Sequence, residues 1–125
     1  KEGKSITIIT YGMGVYWAKN AALQFSDRVE VIDIRTLFPL DESLIFETVK
    51  RHGKCLVLTE ESLRNSFAEA MACRIAQHCF YQLDAPVRTL GALDLPAVPM
   101  NIILEQAMLP NVDKVVTAID ELLTY

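Results

Sequence analysis

The amino-acid sequence predicts an α/β domain, a three-layer α/β/α arrangement in which a parallel sheet of about four strands, ordered 2-1-3-4, carries helices on both faces. Two observations predict it. Short β-branched and apolar runs have the composition of strands buried on both faces. Segments of helical periodicity separate them, too long for hairpins and suited to right-handed crossovers between parallel strands. In a sheet of this order the first connection runs one way and the next reverses, which opens a crevice beyond the carboxyl ends of the first and third strands.

The strands are expected at Ile6 to Tyr11, Val29 to Ile34, Cys55 to Thr59 and Val87 to Leu90. A first helix spans about Val15 to Phe25, with Val15, Ala18, Ala22 and Phe25 on one face. The second follows Asp41, an N-cap with Glu42 behind it, and stops at Gly53 after Lys50, Arg51 and His52, whose charges suit a helix C-terminus. The third opens on the capping box Ser66-Phe67-Ala68-Glu69 and ends by Asp84-Ala85-Pro86. Asp94-Leu95-Pro96-Ala97-Val98-Pro99 reads as an extended connector, because two prolines restrict it. A short helix from Asn101 to Met108 and a longer one capped by Asn111 complete the chain. The last carries Val112, Val115, Val116, Ile119, Leu122 and Leu123 on one stripe.

With 125 residues, 51% hydrophobic and 22% charged, the composition is that of one ordinary globular domain, residues 1–125. Burial of about two-thirds of the unfolded surface supplies a conventional core without metal or disulfide. Twelve basic against sixteen acidic residues give a net charge of −4 with no basic face, which argues against nucleic acid as a main partner. No stretch is long enough to span a bilayer, and no membrane partner is expected. Three cysteines, Cys55, Cys73 and Cys79, lack a CxxC pair and lie in apolar surroundings, as in the reduced interior of a cytoplasmic protein. The start Lys1-Glu2-Gly3-Lys4, without methionine and directly before a strand, suggests a domain excised from a longer chain.

The predicted crevice would be lined by Tyr11, Gly12, Met13, Gly14, Glu60 and Glu61. Gly12-Met13-Gly14 between a strand and a helix, with Asp33 ending the second strand, invites a dinucleotide reading. Trp17 stands where the third glycine belongs, so a tight turn feeding the first helix is the better account. Gly3-Lys4-Ser5 precedes a strand instead of following one and is no phosphate loop. His52 with Cys55, and His78 with Cys79, have no second ligand pair at zinc spacing. The cysteines, inside a strand and a helix, read as structural thiols. Glu60 and Glu61 end the third strand, where such sheets place their chemistry, yet no base or metal ligand accompanies them. No catalytic, cofactor-binding or metal-binding residue is therefore assigned.

The distinctive run is Val31-Ile32-Asp33-Ile34-Arg35-Thr36-Leu37-Phe38-Pro39-Leu40-Asp41. Asp33 and Arg35, two apart, would share one side of an extended chain and either pair or reach a neighbouring domain.

This run, with Ile6-Thr7-Ile8-Ile9-Thr10-Tyr11-Gly12 before it and Leu56-Val57-Leu58-Thr59-Glu60 after it, resembles the C-terminal domain of transketolase. The similarity is greatest to the version ending the beta subunit, or a fused alpha–beta chain, of thiamine-diphosphate-dependent 2-oxo acid dehydrogenases of the 2-oxoisovalerate and pyruvate type. Phe67-Ala68-Glu69, Cys79-Phe80, Leu83-Asp84-Ala85-Pro86-Val87 and Gly91-Ala92-Leu93-Asp94-Leu95-Pro96 fit the same pattern, so the resemblance covers essentially the whole chain. Cys79-Phe80 and the terminal Leu122-Leu123-Thr124-Tyr125 lean toward the branched-chain type. Arg64-Asn65-Ser66 and Ala68 depart from the glycine-rich entry to the third helix usual in such subunits.

The resemblance implies an enzyme that decarboxylates a 2-oxo acid and passes the acyl group to a lipoyl arm. It places thiamine diphosphate and magnesium in the full enzyme between other domains, with none bound by this segment alone. The implied partners are the pyrimidine-binding domain and companion subunits of the same enzyme, and the subunit-binding domain of the lipoyl acyltransferase, to which Tyr125 corresponds in position. Asp33, Arg35 and Glu60 are expected to face the companion domain. The same domain of transketolase or deoxyxylulose phosphate synthase, and a free-standing flavodoxin-like binding module, are the alternatives.

Overall fold

A computed structural model describes residues 5–125 of the chain, so Gly3 and Lys4 of the Gly3-Lys4-Ser5 run lie outside the described residues. Four parallel strands form one sheet in the order β2-β1-β3-β4, as expected: β1 is Ile6–Thr10, β2 Val29–Asp33, β3 Cys55–Ser62 and β4 Arg88–Ala92. Ile6 lies opposite Val29, Thr7 opposite Cys55 and Leu56 opposite Arg88, with an irregular register between Leu58 and Ser62.

Period-two alternation sends β1 to two cores. On one face Ile6, Ile8, Leu56 and Leu58 pack with α1 (Met13–Ala22) and α5 (Val112–Leu123). On the other, Ile9, Ile32, Cys55 and Val57 pack with α2 (Glu42–His52) and α3 (Phe67–Cys79). The helices start where the caps predict: Leu44 N–H donates to Asp41 Oδ1 at 3.0 Å, Glu69 N–H to Ser66 Oγ at 3.3 Å and Lys114 N–H to Asn111 Oδ1 at 2.9 Å. α2 ends on Gly53 in the left-handed conformation, at φ 81°. Its last residue, His52, is buried between Thr7 Oγ1, hydrogen-bonded to Nδ1 at 2.7 Å, and Glu30 Oε2, 3.2 Å from Nε2.

Several expectations need correction. Among the described residues, only β1 and the Cys55–Thr59 stretch of β3 are buried along both faces; β2 and β4 are the sheet edges, and Arg88 at the start of β4 is exposed. α1 begins at Met13, two residues early, because Gly12 at φ 58° turns the chain sharply into it. Its buried face is Gly14, Ala18 and Ala21, with Val15 only half-buried. A 3-10 turn at Leu23–Phe25 completes that segment, and another at Phe80–Gln82 follows α3. Cys73 is exposed, unlike Cys55 and Cys79, because it lies off the buried Ala68, Met71, Ile75 face of α3. Among the described residues no helix is long and apolar enough to cross a membrane.

Candidate assembly surface

The parallel sheet directs the loops after all its strands to one end. At the switch point, the Tyr11 hydroxyl donates to Glu61 Oε1 at 2.8 Å and is hydrogen-bonded to the Thr59 hydroxyl at 2.8 Å. The Phe67 amide, opening α3, donates to the same Glu61 oxygen at 3.3 Å, and the Tyr11 and Phe67 rings meet edge to face at 5.6 Å. Partial burial, followed by the Glu61 hydrogen bond and the charges of Glu61 and Glu60, raises the Tyr11 pKa from 10.0 to about 12; the Thr59 bond opposes the shift. Near neutral pH Tyr11 is thus a fixed donor that ties β1 to β3, and Glu61 is engaged in the same latch.

Gly14 is buried over β1, where a Cβ would come within 2.0 Å of Thr10 Oγ1. The crevice is consequently narrower than expected: Gly14 is sealed against Thr10, and Glu61 is held by Tyr11 and Phe67. Met13 and Glu60 remain accessible and line a cavity of about 440 Å³ with Trp17, Glu105 and Leu109. A diphosphate does not fit here. Glu60 Oε1 lies 2.9 Å from where a Gly12 Cβ would stand, so a carboxylate borders the start of α1, where an anion would seek the helix amides. Nor do the residues suit magnesium: among the described residues no group of three or more His, Cys, Asp and Glu side chains is placed to hold a metal. His78 instead stacks on Phe46 with ring centroids 4.5 Å apart.

Asp33 and Arg35 do come together, though not along an extended chain. β2 ends at Asp33, Ile34 N–H still reaches Thr10 O at 3.1 Å, and Arg35 turns to φ 54°. Asp33 Oδ1 accepts from the Arg35 amide at 3.1 Å, while Arg35 Nε stands 3.6 Å from Asp33 Oδ2. The Arg35 side chain is 84% exposed, so the guanidinium projects outward from a turn whose backbone the Asp33 carboxylate braces. Both residues line an open groove of about 590 Å³ with Gly12, Tyr16 and Lys19. Gly12 therefore sits between the Asp33–Arg35 pair and Glu60.

Tyr125 does not join them. It lines an apolar groove of about 710 Å³ with Ala72, Ala76, Phe80, Pro86 and Val87, beside the amino end of β4 and hence at the opposite end of the sheet.

Sequence reasoning overlooked the apolar side chains at the carboxyl end. Phe38 is 95% exposed, with Leu37 beside it on the loop after β2. After β4, Leu93, Leu95, Val98 and Met100, the last 100% exposed, lead into α4 (Ile102–Met108), whose Ile102, Ile103 and Leu104 are also exposed. The available signal was Ile102-Ile103-Leu104 itself, since three consecutive aliphatic residues cannot all face inward from one helix. As a rule, contiguous exposed apolar side chains are a feature of interaction surfaces.

The family described as Transketolase, C-terminal domain matches residues 1–115. The chain is 38% identical over 132 residues to 2-oxoisovalerate dehydrogenase subunit beta of Bacillus subtilis (strain 168), covering 100% of this chain and 39% of that protein. It is 35% identical over 122 residues to pyruvate dehydrogenase E1 component subunit beta of Rhizobium meliloti (strain 1021), covering 95% and 26%. A solved structure, "Split gene transketolase, inactive beta4 tetramer", superposes with a TM-score of 0.77 at 24% identity, covering 99% of this chain and 41% of that one; this likeness bears on the fold alone. The chain thus spans well under half the length of these relatives.

Proposed function

We propose, from the premise that the chain belongs to the transketolase C-terminal domain family, that it serves as the assembly domain of a thiamine-diphosphate-dependent 2-oxo acid dehydrogenase acting on a branched-chain substrate. The observation that carries this reading is the character of the carboxyl end of the sheet. An enzyme of this architecture would present reactive groups there; this chain presents Phe38, Met100 and the aliphatic face of α4, while Tyr11 and Glu61 are engaged with each other.

In this reading the carboxyl end, with Asp33, Arg35 and Glu60, packs against the pyrimidine-binding domain and companion subunits of the parent enzyme. Thiamine diphosphate and magnesium are held by those domains, and the whole enzyme works in the cytoplasm. The groove at Tyr125 and Phe80, at the far end, receives the subunit-binding domain of a lipoyl acyltransferase, whose apolar side chains would fill it. The two ends then serve different partners, which suits their separation across the sheet.

Substitution of Phe38 by Asp in the parent enzyme tests the reading. A charge at this exposed position leaves the core untouched, so the expected outcome is dissociated subunits with an unchanged unfolding temperature for the chain. Intact assembly at ordinary working concentrations would refute it.

A further inference from the structure

α4 is weakly anchored by apolar burial. Of its seven residues only Met108 is buried, and Ile102, Ile103 and Leu104 all face outward. A helix this short has no stability of its own, and propensity cannot hold it in place. Its attachments are therefore informative. Asn101 caps the start, accepting from the Ile103 amide at 2.9 Å, and the Leu93 amide donates to Met108 O at 3.1 Å. The most concentrated attachment comes from α5. Lys114 Nζ donates to three main-chain carbonyls at the end of α4: Gln106 O at 3.1 Å, Ala107 O at 3.0 Å and Leu109 O at 2.6 Å.

An ammonium group has three donors, and here each has a carbonyl acceptor. Such carbonyls at a helix C-terminus have no partners within the helix and carry the negative end of its dipole, so a cation is favoured there. Lys114 itself is fixed at the start of α5 by the Asn111 cap on its amide. The bonds run from a helix packed in the core to a helix that is not.

We infer that Lys114 is a positioning residue for assembly: its ammonium clamps the C-terminus of α4 and so presents Ile102, Ile103 and Leu104 as a preformed apolar face to a companion subunit of the parent enzyme. The inference rests on the reading that the carboxyl end is an assembly surface. The occupant follows from continuity with the exposed Leu95, Val98 and Met100, and from relatives named as beta subunits, a designation that implies companion subunits. Without the clamp, α4 frays, and ordering it on contact would subtract from the affinity.

The test compares Lys114→Met, Lys114→Arg and Ile103→Asp in the full parent enzyme, by amide hydrogen exchange of the dissociated chain and by the dissociation constant of the assembly. With charge-assisted bonds lost, Lys114→Met should raise exchange over residues 102–109 about tenfold, leave β1 and β3 unchanged, and weaken assembly by a similar factor. Lys114→Arg, which keeps a cationic donor, should restore most of both. Unchanged exchange at α4, or a rise shared equally by the sheet, would overturn the inference. Ile103→Asp leaves the Lys114 bonds in place and tests the underlying reading. If it weakens assembly and Lys114→Met does not, the positioning role alone fails; if it leaves assembly intact, the surface reading fails and the inference with it.

Discussion

The Tyr11 hydroxyl donates to the Glu61 carboxylate at 2.8 Å, across the two strands that flank the switch point of the sheet. Burial and this bond raise the phenol's pKa from 10.0 to about 12. In the folded chain the proton is held more tightly than in the unfolded one, so its contribution to stability is complete below pH 10 and declines as pH rises toward 12. Tyr11→Phe should therefore lower stability by about 1–2 kcal/mol at neutral pH. It should also flatten the alkaline loss. Urea unfolding of both proteins at pH 8 and pH 11 checks this; parallel losses would show that Tyr11 is not the responsible group.

The contact between Gly14 and Thr10 predicts a non-additive pair. Gly14→Ala places a methyl within 2.0 Å of Thr10 Oγ1 and should cost about 2–3 kcal/mol. Thr10 Oγ1 is buried with no hydrogen-bond partner among the described residues, so Thr10→Ala removes the obstruction without breaking any bond they show. The double variant should recover most of the loss, giving a coupling energy of at least about 1 kcal/mol in a double-mutant cycle. Additive effects would mean that the clash is relieved by some other movement.

Most of the fold was legible because local signals agreed with the global one. Asp41, Ser66, Asn101 and Asn111 are caps by residue type, and each accepts the expected amide. The parallel pairing of the strands followed from crossover length. The turn at Arg35 was not legible, since arginine has no preference for positive φ and the Asp33 brace that holds it there is a three-dimensional contact. Edge exposure of β4 was hidden for a similar reason: an apolar run does not report whether a strand has neighbours on both sides. Of the four expected interface residues, Asp33, Arg35 and Glu60 share one end of the sheet, whereas the position of Tyr125 depends on where α5 finishes.

Thiol reactivity separates the cysteines. Burial pushes the Cys55 thiol up, and burial raises Cys79 as well, against a small opposing effect of Lys50. Cys73 is exposed. An aromatic disulfide reagent at pH 8 should label Cys73 in the native protein and all three thiols after denaturation. Rapid native labelling of Cys55 would contradict the packing of β3 between two helical layers.

Arg35→Ala distinguishes a contact residue from a structural one. Its ion pair with Asp33 is solvent-exposed, so the melting temperature should fall by no more than corresponds to about 0.5 kcal/mol. Assembly of the parent enzyme should weaken about tenfold, as expected for an interfacial arginine contact. A large drop in melting temperature would mean that the guanidinium supports the turn instead of meeting a partner.

Amide hydrogen exchange of the parent enzyme, dissociated and assembled, bears most directly on the role of this domain. The account predicts that assembly protects residues 35–40 and 93–104, the loops that carry Phe38 and Met100. Protection that instead appears at residues 11–14 and 60 on adding thiamine diphosphate, with those loops still exchanging freely, would contradict it.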